Sequence, residues 1–221
     1  MTPARSTRLR REAWGFAIGS IFFAVGAIPL YAEAVGAVGT NLTFFIGAIF
    51  FTLAALIQLL LSGRRPPRRA TNGADRADWW AAAIQFVGTL FFNLSTTEAL
   101  ISAMNPDTSI GSGWRPDALG SICFLVASAL AIVATRDRHE LWDRHARTWR
   151  GTWLNMLGSV FFGISAVGAY VMPDTDNLVS LFWANLGTFL GALCFLVAAL
   201  LSRRFIPMDA APAGAAVRED R

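Results

Sequence analysis

The chain contains no lysine, and histidine, cysteine and tyrosine occur only twice each. All 19 basic residues are therefore arginines. Charged residues make up only 15% of the 221 residues, whereas hydrophobic residues make up 54%. Soluble globular domains carry about 25% charged residues. This shortage of charge argues against a soluble domain and favours a membrane protein.

Arrangements typical of catalytic sites are also missing. The sequence has no cluster of His, Asp and Glu, no Ser-His pair at a plausible spacing, and no glycine-rich phosphate loop. We therefore predict a non-enzymatic protein with no catalytic residue, no cofactor and no metal site.

Long apolar runs separate the few charged clusters. A helix needs about 20 apolar residues to cross roughly 30 Å of hydrocarbon. Six runs meet this length, at about 14–31, 41–62, 79–101, 117–134, 152–172 and 181–202. The sequence thus predicts an all-α, polytopic membrane protein with six transmembrane helices.

The arginines predict the orientation of these spans. Eighteen of the 19 precede span 1, follow span 6, or lie between spans 2 and 3 or spans 4 and 5; Arg115 is the exception. By the positive-inside rule, both termini are then cytoplasmic. The abundance of Arg, Ala and Gly suggests a GC-rich bacterial genome, so we expect a bacterial plasma (inner) membrane.

A sequence pI near 10 would also be compatible with nucleic-acid binding. Because the arginines lie beside the ends of apolar spans, we instead expect them to set topology or to attract anionic lipid at the cytoplasmic face. We expect no nucleic-acid partner. A membrane-protein partner or a second copy of the chain remains a possible partner.

Glycines align the six spans into three pairs. The first span of each pair aligns on Gly19, Gly88 and Gly158, and the second on Gly47, Gly120 and Gly191. The chain is therefore predicted to form three tandem helical hairpins, at 14–62, 79–134 and 151–202. Around them we expect a cytoplasmic, disordered N-terminal tail (1–13), a basic linker (63–78), a basic amphipathic helix (135–150) and a disordered cytoplasmic tail (203–221).

The two cysteines occupy equivalent positions in this alignment. Cys123 and Cys194 each begin the sequence Cys-Phe-Leu-Val-Ala. They could form a redox pair or half of a metal site, or they could be small apolar residues in a packed interface. We favour packing, because thiols in lipid ionise poorly and no histidine accompanies them.

Span 3 is more polar than spans 1 and 5. Its candidate polar site comprises Asn93, Thr96, Thr97 and Glu98, together with Arg115 from the following outer loop. We expect Arg115 to approach Glu98 or Asp107. Because ionisable groups within membranes are often functional, this site supports an alternative function as a small-solute or ion channel or transporter.

Four amides recur at equivalent depths. Gln85 pairs with Asn155 towards the inside, and Asn41 pairs with Asn185 towards the outside. They could form hydrogen bonds between helices or line a polar path. We favour the structural role.

The repeated unit resembles the YrhK-like domain, a short two-span bacterial module. The first helix carries Gly-Ser-x-x-Phe at Gly19–Phe23 and Gly158–Phe162, and the second carries Asn-x-x-x-Phe-x-Gly at Asn185–Gly191. The resemblance is better in the first and third repeats than in the second. It implies a membrane location and no established activity. We therefore predict a function exerted through helix, lipid or partner contacts.

Overall fold

The computed structural model describes residues 3–63, 65–68, 70–105, 115–143, 148–175 and 177–204. This part of the chain is all-α. Its helices are α1 (Pro3–Gly26), α2 (Pro29–Ser62), α3 (Gly73–Met104), α4 (Pro116–Asp137), α5 (Trp149–Gly168) and α6 (Leu181–Arg204). Three of them, α2, α4 and α6, are long and apolar enough to cross a membrane. The all-helical, membrane-like character predicted from composition is confirmed at this level.

Local sequence explains where several helices begin. Pro29 and Pro116 stand in the first turns of α2 and α4, where the missing N–H removes no helical hydrogen bond. Asn72 caps α3, since its Oδ1 accepts a hydrogen bond from the Asp75 backbone N–H at 2.8 Å. The helix therefore begins six residues before the predicted span, inside the region expected to be a linker.

A kink divides α2 at Gly36, which has φ 73° and ψ 178°. This backbone conformation strongly favours glycine. The short helical segment before the kink is tied back to the main helix by a 2.7 Å hydrogen bond between the Tyr31 and Thr43 hydroxyls. Glu33, which lies between the first two predicted spans, is part of this short helical segment.

The six helices form a closed ring. Each helix packs against its neighbours in sequence, and α1 also packs against α6. At the centre lies a cluster of six phenylalanines, one from each helix: Phe23, Phe51, Phe92, Phe124, Phe162 and Phe195. Ring centroids within this cluster lie 5.1–6.5 Å apart, a spacing typical of packed aromatic rings. The axis of the ring is therefore filled at this level.

The aligned glycines face one another across three helix pairs. A Cβ added to Gly19, Gly120 or Gly191 would lie 3.0 Å from the carbonyl oxygen of the opposing glycine. The opposing pairs are Gly19 with Gly47, Gly88 with Gly120, and Gly158 with Gly191. Glycine is needed at these positions because the two backbones approach closely.

Two polar segments differ from expectation. The N-terminal tail was predicted to be disordered, but α1 begins at Pro3, because the arginine-rich sequence before the span is compatible with helix. The predicted amphipathic helix within 135–150 is also wrong for residues 138–143, which form turns; residues 144–147 lie outside the described part.

The turn after α4 has a specific cause. His139 adopts a left-handed conformation with φ 60°. Its N–H donates to the Arg136 carbonyl at 2.8 Å, and the Glu140 N–H donates to the Thr135 carbonyl at 3.0 Å. This pair of bonds is a Schellman motif, which ends a helix by satisfying its last carbonyls.

The connection between α5 and α6 is longer than the interval between the predicted runs 152–172 and 181–202. Helix α5 ends at Gly168 rather than near residue 172. Val171 and Leu178 then form an antiparallel bridge, and the Met172 N–H donates to the Asn177 carbonyl at 2.8 Å. Extended backbone pairing thus replaces the last predicted helical turn.

Candidate functional site

Buried hydroxyls connect α4 to α5. Ser128 and Ser159 share a hydrogen bond of 2.8 Å, and Ser121 donates to the Phe162 carbonyl at 3.1 Å. Near the predicted cytoplasmic end, the Thr135 and Thr152 hydroxyls are 3.1 Å apart. These contacts were not predicted from the sequence. Their only signal is that small hydroxyl residues recur at seven-residue spacing along α4.

Asn93 connects α3 to α2. Its Nδ2 donates to the Ala48 carbonyl at 3.2 Å and contacts the Thr52 hydroxyl. It also donates to the Thr89 carbonyl of its own helix at 2.8 Å. Asn93 was predicted to belong to a polar site, and its observed partners give it a bridging position between two helices.

The other members of the predicted polar site do not meet in one place. The Thr96 and Thr97 hydroxyls donate to carbonyls of their own helix, at 2.8 and 2.6 Å respectively. Glu98 is exposed, and among the described residues it forms no ion pair with Arg115. Asp107, the other expected partner of Arg115, lies outside the described residues.

The amide side chains also have different positions from those expected. Asn41 donates to the Ala37 carbonyl within its own helix at 3.0 Å, and its role between helices stays a prediction. Asn185 lines an apolar groove beside α6. Gln85 and Asn155 are half-buried, and no hydrogen bond between helices from either side chain is found in the described part of the chain.

The cysteines pack against glycines of the preceding helix. A Cβ on Gly88 would lie 2.8 Å from Cys123 Cβ, and a Cβ on Gly158 would lie 3.1 Å from Cys194 Cβ. Both thiols are free. The predicted packing role agrees with these contacts. No group of three or more His, Cys, Asp or Glu side chains suited to a metal ion lies within the described ranges.

An ion-pair cluster joins the start of α3 to the end of α4. Arg138 Nη2 donates to Asp75 Oδ1 at 3.0 Å and to Asp78 Oδ2 at 2.5 Å. The hydrogen bond to Asp78 raises the pKa of Arg138 above its usual value, although partial burial opposes this shift. Because the groups remain partly exposed, each pair contributes only about 0–1 kcal/mol.

Two grooves lie on the outer wall of the ring. The first has a volume of about 480 Å³ and lies between α6 and the α1–α2 connection; it is lined by apolar side chains and Asn185. The second has a volume of about 760 Å³ and lies between α4 and α5. Arg115 stands at the end of this second groove, so it is the more chemically distinctive of the two.

The second groove exists because of a small residue on α5. Gly163 stands five residues after the aligned glycine of its helix, as Asn93 does in α3. Asn93 reaches across to α2, whereas a Cβ on Gly163 would meet only Leu125 Cδ1, at 3.5 Å. The space that an amide fills between α2 and α3 is thus left open between α4 and α5.

Comparison with protein families gives one match. Residues 78–173 match the family described as YrhK-like protein. Comparison of the chain with curated proteins and with solved structures finds no match. The matched segment begins within α3, includes α4 and α5, and ends five residues after α5. It includes the larger groove, and from the ion-pair cluster it includes Asp78 and Arg138 but not Asp75.

The resemblance to this family is confirmed, but its location differs from the motifs that suggested it. Those motifs lay mainly in the first and third repeats, whereas the match covers the second hairpin and the first helix of the third. The chain therefore carries a YrhK-like region over residues 78–173.

Proposed function

We propose that this protein is a bacterial inner-membrane protein that crosses the bilayer six times, as three tandem hairpins, with both termini in the cytoplasm. It acts through contacts with lipid or a membrane partner and not as an enzyme. The main support is the combination of a ring whose axis is filled by six phenylalanines with an outer wall of exposed apolar side chains.

Six crossings are supported by the distribution of polarity around α1, α3 and α5. The polar side chains of Ser20, Thr89 and Ser159, one on each of these helices, are fully buried inside the ring. On their outer faces, Ile21 and Leu90 are each 47% exposed. Apolar exposure of this kind on all sides is favourable in lipid and costly in water.

A contact role is supported by the hydrogen bonds that polar side chains form with one another and with backbone inside the ring. The hydroxyls of Ser128 and Ser159 bond to each other, and Asn93 bonds to the backbone of α2. These groups are engaged in holding helices together, as is common in membrane proteins. Because these polar groups bond to neighbouring helices, the outer surface is the surface available to a partner.

Transport by a polar path along span 3 is the alternative. The polar residues Asn93, Thr96 and Thr97 follow closely along this span, and their order in the chain motivates the transport alternative. The phenylalanine cluster favours the contact role, because a conducting path along the axis would require these rings to move apart.

Topology mapping tests the crossings. Protease-cleavable tags at the two termini should both be cleaved only from the cytoplasmic side if all six helices cross. If only α2, α4 and α6 cross, the termini lie on opposite sides of the membrane. Cleavage of the tags from opposite sides would overturn the proposal.

Flux through proteoliposomes tests the contact role. We expect ion and small-solute flux equal to that of empty vesicles. Selective flux that Glu98→Gln alters would favour the transporter alternative and overturn the contact role.

A further inference from the structure

We infer that the groove between α4 and α5 binds one acyl chain of an anionic phospholipid, with its phosphate beside Arg115. This inference rests on the proposed membrane location. Arg115 is the cationic member of the groove lining, and the remaining lining is overwhelmingly apolar. An apolar slot with a cation at one end matches the two chemical parts of such a lipid.

The length of the groove fits one leaflet. On α4 the lining runs from Arg115 to Leu125, which corresponds to about 15 Å of helix at 1.5 Å per residue. One leaflet occupies about half of the roughly 30 Å hydrocarbon core. A phosphate beside Arg115 would therefore stand at the headgroup level while the chain reaches towards the bilayer centre.

The volume and shape also fit a chain. The groove holds about 760 Å³, within the range of about 300–1,000 Å³ found for small-molecule sites. Its α5 wall is formed by Val160, Gly163, Ile164 and Val167, which share one helix face at spacings of three and four. Gly163 forms the floor, and its missing side chain gives the groove its depth.

Arg115 is available for a phosphate. It stands at the N-terminal cap of α4, and its side chain makes no capping hydrogen bond. Its Nε is buried and has no hydrogen-bond partner among the residues that the structure describes. Asp117 lies two residues on and weakens the local positive charge, but the described ion pairs do not include it. A phosphate oxygen beside the guanidinium group of Arg115 would form a charge-assisted hydrogen bond.

The other groove provides an internal comparison. It is similarly apolar but smaller, and its lining contains no charged residue. It should accept acyl chains without a preference for the headgroup. The anionic preference of the protein should therefore depend on Arg115 and not on apolar grooves in general.

Native mass spectrometry of the full-length protein in detergent tests the site. The probes are phosphatidylglycerol and phosphatidylcholine with identical acyl chains. We expect phosphatidylglycerol adducts to be favoured about fivefold, which corresponds to the contribution of one arginine at an anionic lipid surface. Arg115→Gln should abolish this preference, whereas Arg136→Gln, which removes an arginine from the opposite end of α4, should keep it.

Two substitutions test the groove itself. Gly163→Leu fills the floor, and Val160→Phe fills the slot from a residue that is 41% exposed and so tolerates change in the fold. Both should remove the preferred adduct. If Gly163→Leu fails to fold, Val160→Phe still decides the outcome.

Contrary results are distinguishable. Equal adducts of both lipids in the unaltered protein, or an unchanged preference in Arg115→Gln, would overturn the site. Equal competition by glycerol phosphate would assign Arg115 to a free phosphate and overturn the lipid. Full adduct formation in Val160→Phe would also overturn the proposed lipid site. Occupation of the groove by residues 106–114 would overturn it as well. Release of the chain from membranes at alkaline pH would overturn the proposed function itself.

Discussion

Truncating Phe162 to alanine should lower the stability of the ring of helices and is the sharpest test of its packing. Its side chain is 3% exposed, and its ring contacts those of Phe23, Phe92, Phe124 and Phe195 at centroid distances of 5.6–6.2 Å. It therefore joins rings from four other helices. Replacing it by alanine removes these contacts and leaves a void at the axis.

The magnitude of this loss depends on the solvent. In a water-soluble core, Phe→Ala costs about 3–5 kcal/mol, part of which is the transfer of the ring out of water. That part vanishes in lipid, because a separated helix also surrounds the ring with hydrocarbon. Four aromatic contacts at about 0.5–1.5 kcal/mol each, with some relaxation around the void, leave an expected loss of about 2–4 kcal/mol.

The assay is equilibrium unfolding in mixed detergent micelles, followed by circular dichroism. Phe161→Ala is the matched control, because Phe161 is adjacent and only half-buried. We expect it to cost less than about 1 kcal/mol, in the range of substitutions away from a packed core. Equal losses in the two variants would refute the reasoning, because the ring at the axis would then be no more important than one on the wall.

Three further changes should alter stability in the same assay. Asn93→Ala should cost about 0.6–1.7 kcal/mol of stability, because it removes the hydrogen bonds to α2. Asn41→Ala should cost less, because that amide bonds within its own helix. Equal costs would contradict the bridging role of Asn93. Ala199→Ser should stabilise the protein by about 0.6 kcal/mol, because the buried Ser20 hydroxyl has no hydrogen-bond partner among the described residues and α6 carries alanine where α4 carries a partner serine. A loss of stability would show that the two interfaces differ. His139→Gly should stabilise it by about 1 kcal/mol, because glycine adopts the left-handed conformation without strain, and no gain would contradict the strain argument.

Much of the fold was predictable because the relevant signals are local. The length of an apolar run predicts a helix long enough for a bilayer, and four of the six predicted runs, 41–62, 79–101, 117–134 and 181–202, lie wholly within observed helices. The aligned glycines that defined the repeats in the sequence, such as Gly88 and Gly120, do face each other. Single residues that end or bend helices were harder to predict. Gly36 was indistinguishable by sequence from other glycines, and a positive φ at His139 was not predictable because it is uncommon for any residue with a side chain.

The candidate site was less predictable, because it depends on which face of a helix meets which neighbour. Asn93 and Asn41 are the same residue type on apolar helices, yet Asn93 donates to a carbonyl of α2 and Asn41 donates to the Ala37 carbonyl of its own helix. The helical period alone does not show which amide reaches a neighbouring helix, because that depends on which helix packs against each face. The groove was not predictable for the same reason: the space beside Gly163 depends on which side chains of α4 lie opposite, and only Leu125 comes within 4 Å of a Cβ placed there.

The sequence by itself determined the helical class, the membrane-like composition and the asymmetric placement of arginine, since each depends on residue type and order along the chain. Only the tertiary structure decided that the axis is filled and that the wall carries a groove. The six phenylalanines come from six helices separated along the chain, and they meet because the ring closes between α1 and α6. The identity of an inward-facing side chain and the shape left between helices are properties of packed surfaces, which exist only once the helices have assembled.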